Sequence, residues 1–270
     1  MPAAKPRTFN PEHFVRLFEA EDRHFWFRAR NDLIAKMLRW PAFHTSGSPR
    51  VLEVGCGTGN TLRVLDKEFG PAAVVGMDLF EDGFQYACQR TACHLICGDV
   101  CRPPFSTLFD VVCLFDVLEH LPDDLAILRG VNRLLVKNGT LFLTVPACGS
   151  LWSYFDELAD HARRYEFEDL TTKLRQTGFE IEFQSGFMMS LFPILWIGRR
   201  LNRWFRHGGR ECQDHDELLR RELQINPLLN RVLYGMISAE NRFLKPGRRL
   251  PVGSSLLAIA RKVREAGGQA

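Results

Sequence analysis

Five residues, Gly55-Cys56-Gly57-Thr58-Gly59, constrain this 270-residue chain more than any other segment. They follow the short β-branched run Val51-Leu52-Glu53-Val54 and precede a helical pattern over 60–69, so the chain must turn sharply there from strand to helix. Glycines at such a turn let the backbone approach a ligand closely, and the helix start beyond them offers unpaired N–H groups. The spacing is GxGxG, whereas a dinucleotide fingerprint would place the third glycine one residue later. An acidic residue, Asp78, closes the next apolar run, Val74-Val75-Gly76-Met77, 23 positions after Gly55. There it is placed to accept hydrogen bonds from two ribose hydroxyls.

Strand and helix signals alternate through the following hundred residues. A third run, 93–97, ends on Gly98-Asp99, and a fourth, Phe109-Asp110-Val111-Val112-Cys113-Leu114-Phe115, is almost continuously apolar, as a parallel strand buried on both faces requires. A helix near 125–135 is expected to end at Asn138-Gly139, with Thr140 to Pro146 as the fifth strand and further strands over 179–184 and 255–262. Such alternation with short connections predicts a doubly wound α/β sheet, with ligands at the C-terminal ends of its strands. Upstream, Phe14, Leu17, Phe18, Phe25, Leu33, Ile34, Met37 and Leu38 recur at three- and four-residue steps, predicting helix over 11–40 that Pro41 stops. A 46% hydrophobic content with 21 Phe suffices for a sizeable core and excludes fibrous and disordered classes. The length suits one large domain, or one domain with an appended cap.

The segment Glu53-Val54-Gly55-Cys56-Gly57-Thr58-Gly59 resembles motif I of the class I S-adenosylmethionine-dependent methyltransferases. Asp78, Gly98-Asp99-Val100 and Phe109-Asp110-Val111-Val112 stand where that family places its ribose, adenine and strand-four motifs. The resemblance covers residues 25–185 and returns at the last strand. It implies a Rossmann-like seven-stranded sheet with helices on both faces and an antiparallel final strand. It also implies S-adenosylmethionine as cofactor, held by Arg30, Glu53, Gly55, Cys56, Gly57, Asp78, Leu79, Asp99, Val100 and Phe115. On this reading Gly55 and Gly57 lie against the methionine and ribose, and Asp78 binds the ribose. Asp99 accepts from the adenine amino group while the Val100 N–H meets a ring nitrogen; an Asp at such a position also forms turns.

Arg30-Asn31-Asp32-Leu33-Ile34-Ala35 and Leu114-Phe115-Asp116-Val117-Leu118-Glu119-His120 are similar to stretches of the ubiquinone-biosynthesis O-methyltransferases, in the methyltransferase type 11 group. The likeness implies that Arg30 contacts the cofactor carboxylate and that Phe115 lies against the cofactor. A guanidinium suits a carboxylate because it donates two parallel hydrogen bonds, although a surface helix charge is the plainer reading of the same residue.

The reacting centre is expected just after the fourth strand. If a helical turn begins at Asp116, then Asp116, Glu119 and His120 share one face, and His161 follows strand five close to the same pocket. Methyl transfer is a displacement at a sulfonium, so it needs an aligned nucleophile and a way to remove its proton. His120 or His161 supplies that base, with Glu119 beside it. Alternatively, Asp116, Glu119 and His120 hold a divalent metal, Mg²⁺ or Zn²⁺, that orients a hydroxyl and lowers its pKa. The metal is implied by similar acid-x-x-Glu-His stretches in ubiquinone-pathway and small-RNA 2′-O-methyltransferases, whose first position is Glu where this chain has Asp. A third reading leaves Glu119-His120 capping a short helix and pairs His161 and Arg163 with acids in the loop.

Charge divides unevenly along the chain. Residues 187–270 carry 15 Lys/Arg against 7 Asp/Glu, a net +8, which leaves −5 for residues 1–186. The most apolar run, Gly186 to Gly198, is too short to span a bilayer and leads into Arg199-Arg200-Leu201-Asn202-Arg203-Trp204-Phe205-Arg206, a pattern suited to an interfacial helix. A second amphipathic helix is expected over 228–244. Three readings stay open: a cap packed on the core, peripheral membrane contact through 187–206 with a hydrophobic or lipid-linked methyl acceptor, and nucleic acid. No recognised RNA-binding module accompanies the basic cluster, which argues against the last. The aromatic stretch His24-Phe25-Trp26-Phe27-Arg28 either covers the cofactor mouth or packs on the sheet.

The expected organisation is an N-terminal helical lid over 1–45, a Rossmann-like cofactor domain over 46–186 and 253–263, and an inserted helical cap over 187–252. Eight cysteines are too sparse for a disulfide scaffold, and Cys93, Cys97 and Cys101 lack the paired spacing of a zinc site. Met1 to Asn10 has no apolar stretch of a secretory signal. The expected location is cytoplasmic, at the inner face of a membrane if the cap touches lipid.

Overall fold

The turn after the first strand leaves the C-terminal edge of a seven-stranded sheet, between the second and fourth strands. The structure, a computed structural model, describes residues 13–43, 47–205, 223–245 and 247–266, with the backbone alone for 199–205. Its strands are β1 (Val51–Val54), β2 (Val74–Asp78), β3 (His94–Cys97), β4 (Phe109–Phe115), β5 (Leu135–Pro146), β6 (Phe179–Phe187) and β7 (Ser255–Lys262). They lie in the order β3-β2-β1-β4-β5-β7-β6. The first five are parallel, and β7 runs antiparallel between β5 and β6. The α/β, Rossmann-like sheet with its antiparallel last strand is as expected. Because β1 neighbours both β2 and β4, strand order reverses beside β1, and a crevice opens at the strand C-termini there.

The helices are α1 (His13–Glu21), α2 (Phe25–Leu38), α3 (Leu62–Phe69), α4 (Phe84–Ala87), α5 (Asp124–Leu134), α6 (Tyr154–Leu158), α7 (Phe167–Gln176), α8 (Phe192–Phe205) and α9 (Pro227–Phe243). Two apolar cores flank the sheet. One joins Leu33, Ile34, Met37 and Leu38 of α2 to Phe115, Phe142, Ile259 and Ile237 of α9. The other joins Leu128 and Val131 of α5 and Leu170 and Leu174 of α7 to Val112, Leu114 and Leu143. Alternate residues of β4 thus enter opposite cores, which explains its continuous apolar run.

Three expectations change in detail. The helix expected over 11–40 is two helices, broken at Asp22–His24. The His24 side chain caps α2 by accepting from the Trp26 N–H at 3.3 Å, and the Phe25 N–H donates to Asn230 Oδ1 at 2.7 Å. Asn138-Gly139 does not end α5: the helix stops at Leu134, and Asn138 (φ 64°) lies inside β5, where pairing with β4 slips between Phe109↔Leu135 and Val111↔Thr140. β6 runs on to Phe187 because β7 pairs with it as far as Phe187↔Ser255.

After β6 the chain leaves the sheet for α8 and α9 and returns as β7. Helix α9 docks on α2 through polar links as well as apolar ones. Lys36 Nζ donates to the carbonyls of Asn241 (2.7 Å) and Leu244 (2.5 Å), Asn241 Nδ2 to the Ala29 carbonyl (2.9 Å), and the Tyr234 hydroxyl to Asp32 Oδ2 (2.6 Å). Among the described residues no helix is long and apolar enough to cross a membrane.

Candidate active site

The glycine turn is tight for identifiable steric reasons. Gly55 (φ +77°) passes beneath Val117, and a Cβ there would lie 2.4 Å from Val117 Cγ2. Gly57 adopts φ +47°, and its N–H donates to Asp78 Oδ2 at 2.8 Å. The Phe80 N–H holds Asp78 Oδ1 at 2.9 Å, so two backbone amides orient that carboxylate at the end of β2. Cys56 is buried, and burial followed by the charges of Asp78 and Glu53 pushes its thiol well above the ordinary range. Such a thiol is an inert packing group.

The expected cofactor residues fall into two groups. Arg30, Gly55, Cys56, Gly57, Asp78, Leu79, Asp99, Val100 and Phe115 all line one cleft of about 1270 Å³. Asp99 Oδ1 accepts from the Cys101 N–H at 2.8 Å, so the side chain forms a turn there. Glu53 does not line the cleft: it lies beneath the turn, 1% exposed, where the Thr61 hydroxyl donates to it. Burial raises its carboxyl to about 8. Arg30 is buried, and its Nη1 donates to Asp116 Oδ2 at 2.6 Å. Its guanidinium lies 4.9 Å from the Trp26 ring centroid and 5.5 Å from that of Phe27. The aromatic stretch is therefore split, with Phe25 in the core and Trp26 and Phe27 also at the cleft wall.

Beyond β4 the helical turn starts later than expected. Asp116 is left-handed (φ 55°), and the 3₁₀ turn covers only Leu118–His120. Asp116 is therefore turned to Arg30 and does not share a face with Glu119 and His120. The set of possible metal donors that converges is instead Glu119, His120 and His161, whose ligand atoms lie within 4.8 Å of one another. Glu119 is fully buried, neither carboxylate oxygen has a hydrogen-bond partner, and burial followed by Asp116 raises its carboxyl well above the ordinary range. His120 stacks edge-on against His161, with centroids 4.8 Å apart. Burial, then the charge of His161, lowers its pKa to about 3.

His161 has a carboxylate on each side. Its Nδ1 is 3.1 Å from Asp156 Oδ1 and its Nε2 is 4.0 Å from Glu119 Oε1. Arg163 pairs with Asp124, the first residue of α5, at 2.8 Å, and so with a helix-start carboxylate instead of an acid of its own loop. Sequence reasoning missed Asp156 and Arg164 as site residues. The available signal was Ser153-x-x-Asp156, a capping-box spacing that buries Asp156 at the start of α6.

The far wall of the cleft is apolar. Leu191 comes from the 3₁₀ turn before α8, Ile194 and Leu195 from the start of α8, Leu229 and Leu233 from α9, and Leu223 and Ile225 from the residues before it. Ile194, Ile197, Leu228 and Val232 of the same two helices are each more than half exposed. The alternation of basic and aromatic side chains over Arg199–Arg206 lies outside the described side chains.

Residues 18–184 match the sequence model of a family described as a methyltransferase domain. The demethylmenaquinone methyltransferase of Staphylococcus aureus strain JH9 is 34% identical over 96 residues, 33% of this chain and 40% of that protein. The match thus spans about two fifths of that relative's length. A Galdieria sulphuraria structure described as a candidate sarcosine dimethylglycine methyltransferase superposes with a TM-score of 0.60 at 13% identity, over 93% of this chain and 97% of that one. Phosphoethanolamine N-methyltransferase 2 of Haemonchus contortus, in complex with phosphomonomethylethanolamine and S-adenosylhomocysteine, gives 0.53 at 20% identity, over 87% and 53%. At these identities the two structures speak for the fold.

Proposed function

The chain belongs to the class I S-adenosylmethionine-dependent methyltransferases, and from that premise we propose that it methylates an oxygen of a hydrophobic or lipid-associated small molecule. The observation that carries this reading is one cleft lined by the glycine turn with oriented Asp78, by apolar side chains of α8 and α9, and by His161.

The residues present fit the cofactor. The space that a Cβ would fill at Gly55 is taken by Val117, so only glycine brings the backbone this close to the cleft. Asp78 would accept from the ribose hydroxyls, Asp99 from the adenine amino group, the Val100 N–H would meet a ring nitrogen, and Leu79 and Phe115 would lie against the cofactor. Arg30 holds the cofactor carboxylate, and Glu53 acts from beneath by bracing the turn through Thr61. When bound, S-adenosylmethionine would supply an electrophilic sulfonium methyl for displacement by the acceptor oxygen. His161 Nε2 takes the acceptor proton, and the apolar walls exclude water from the reacting atoms.

Residues 1–45 then serve as a lid and 187–252 as a substrate cap. Exposed Ile194, Ile197, Leu228 and Val232 beside the cleft suit peripheral contact with a membrane from which the acceptor is drawn. We place the protein in the cytoplasm, at the inner face of a membrane. A second reading is favoured by one observation, the two partnerless oxygens of buried Glu119. With His120 and His161 they form a three-donor set that suits Zn²⁺ or Mg²⁺, which would supply Lewis-acid activation of the acceptor hydroxyl. The cofactor assignment is tested by thermal unfolding with S-adenosylmethionine. At about 100 times Kd the ligand should add about 2.7 kcal/mol and raise Tm by several degrees; no shift at millimolar ligand contradicts it.

A further inference from the structure

We propose that Asp156 is a positioning residue for methyl transfer, holding the His161 ring so that Nε2, with its lone pair, faces the reacting side of the cleft. The inference rests on the reading of His161 as the base.

Asp156 is fully enclosed, with no solvent-exposed side-chain surface. Its Oδ2 accepts from the Ser153 N–H at 2.8 Å, which fixes the carboxylate to the first turn of α6. Its Oδ1 lies 3.1 Å from His161 Nδ1 and 2.7 Å from Arg164 Nε. Arg164 is itself pinned, donating from Nη1 to the Ala147 carbonyl at 2.9 Å just past β5. The His161 N–H donates to the Asp156 carbonyl at 2.8 Å, so the backbone also brings the ring over the carboxylate. Both carboxylate oxygens are thus held by donors, the Ser153 N–H on Oδ2 and the Arg164 guanidinium on Oδ1, which keeps Asp156 as an ionised acceptor.

An ionised carboxylate only accepts. The neutral imidazole must therefore carry its proton on Nδ1, which leaves the lone pair on Nε2. Nε2 is the atom directed toward Glu119 Oε1, 4.0 Å away, and both residues line the cleft. In the reaction the acceptor O–H proton passes to Nε2, and the oxygen pair forms the new O–C bond. The C–S bond breaks, and sulfur keeps its pair as a neutral thioether. The imidazolium produced faces Asp156, whose negative charge stabilises it, and the proton leaves to solvent with the product.

The test combines spectroscopy with turnover. ¹⁵N NMR of histidine-labelled protein at alkaline pH reads the tautomer of His161, assigned by the signals lost in His161→Gln. Wild type should show Nδ1–H, and Asp156→Asn should shift population to Nε2–H. Methyl transfer from isotopically labelled S-adenosylmethionine into a lipid extract should fall at least tenfold in Asp156→Asn at saturating extract, with half-saturation and cofactor Kd changed less than about twofold. An Nε2–H tautomer in the wild-type protein overturns the proposal without recourse to any variant. So does an unchanged transfer rate in Asp156→Asn when His161→Gln is slow. A full rate in His161→Gln instead overturns the base assignment, and the two failures are thereby separated.

Discussion

Arg30 Nη1 donates to Asp116 Oδ2 at 2.6 Å, so the guanidinium of α2 closes on the C-terminal tip of β4 with both groups largely shielded from water. Breaking such a pair leaves an uncompensated charge, at a cost of roughly 3–5 kcal/mol when fully buried. Arg30→Ala should therefore lower stability and weaken S-adenosylmethionine binding at least tenfold by titration calorimetry. Arg30→Lys should restore the charge but not the forked geometry, and recover only part of the affinity. A cofactor Kd within twofold of wild type in Arg30→Ala would remove Arg30 from the cofactor set.

The glycine turn predicts a contrast between two Gly→Ala substitutions. At Gly55 an added Cβ meets Val117 at 2.4 Å with φ at +77°; strain of about 1–3 kcal/mol is expected, with at least a tenfold loss of cofactor affinity. At Gly235, inside α9, an added Cβ meets nothing within 4 Å. There Gly235→Ala should stabilise the protein by about 0.5–1 kcal/mol. Denaturant titration with calorimetry checks both.

Glu53 makes stability depend on pH. Burial raises its carboxyl from 4.5 to about 8 in the folded protein. Its contribution is therefore fully present below about pH 4.5 and lost as pH rises through about 8. Glu53→Gln keeps an acceptor for Thr61 and cannot ionise. Relative to wild type, it should gain about 1 kcal/mol or more between pH 5 and pH 9. Parallel stability curves for the two proteins would contradict the assignment.

The two histidines should separate. His161→Ala is expected to slow single-turnover methylation by about 10²-fold or more with cofactor Kd nearly intact. His120, held neutral by burial and its neighbour, carries no charge at physiological pH and should matter less. With His161 as base, the chelated protein keeps its rate. Loss of activity on chelation, restored by Mg²⁺ or Zn²⁺, would move the account to the metal reading.

What the sequence discloses follows the range of the interactions involved. The bounds of β4 and β7 are legible residue for residue, in β4 because a strand buried on both faces must be apolar almost throughout. The cofactor side of the cleft was legible because glycine spacing and Asp78 act through local backbone. The break between α1 and α2 was not, since the acceptor for the Phe25 N–H is Asn230, more than two hundred residues away. The orientation of Asp116 was hidden for the same reason: its partner is Arg30, and its left-handed backbone interrupts the helical spacing that would have joined it to Glu119. Asp156 lies only five residues from His161, yet its role depends on Arg164 and on burial that no local pattern reports.

The identity of the methyl acceptor separates the proposed activity from its alternatives. Lipid and soluble extracts incubated separately with the protein and isotopically labelled S-adenosylmethionine, then analysed by mass spectrometry, address this directly. A hydrophobic species bearing one labelled O-methyl group, formed in the lipid extract and absent with His161→Ala, is the predicted result. Label confined to the soluble fraction would contradict the proposed acceptor and point to a soluble metabolite or sugar. Label in neither fraction, from protein that binds the cofactor, would indicate a non-catalytic cofactor-binding protein.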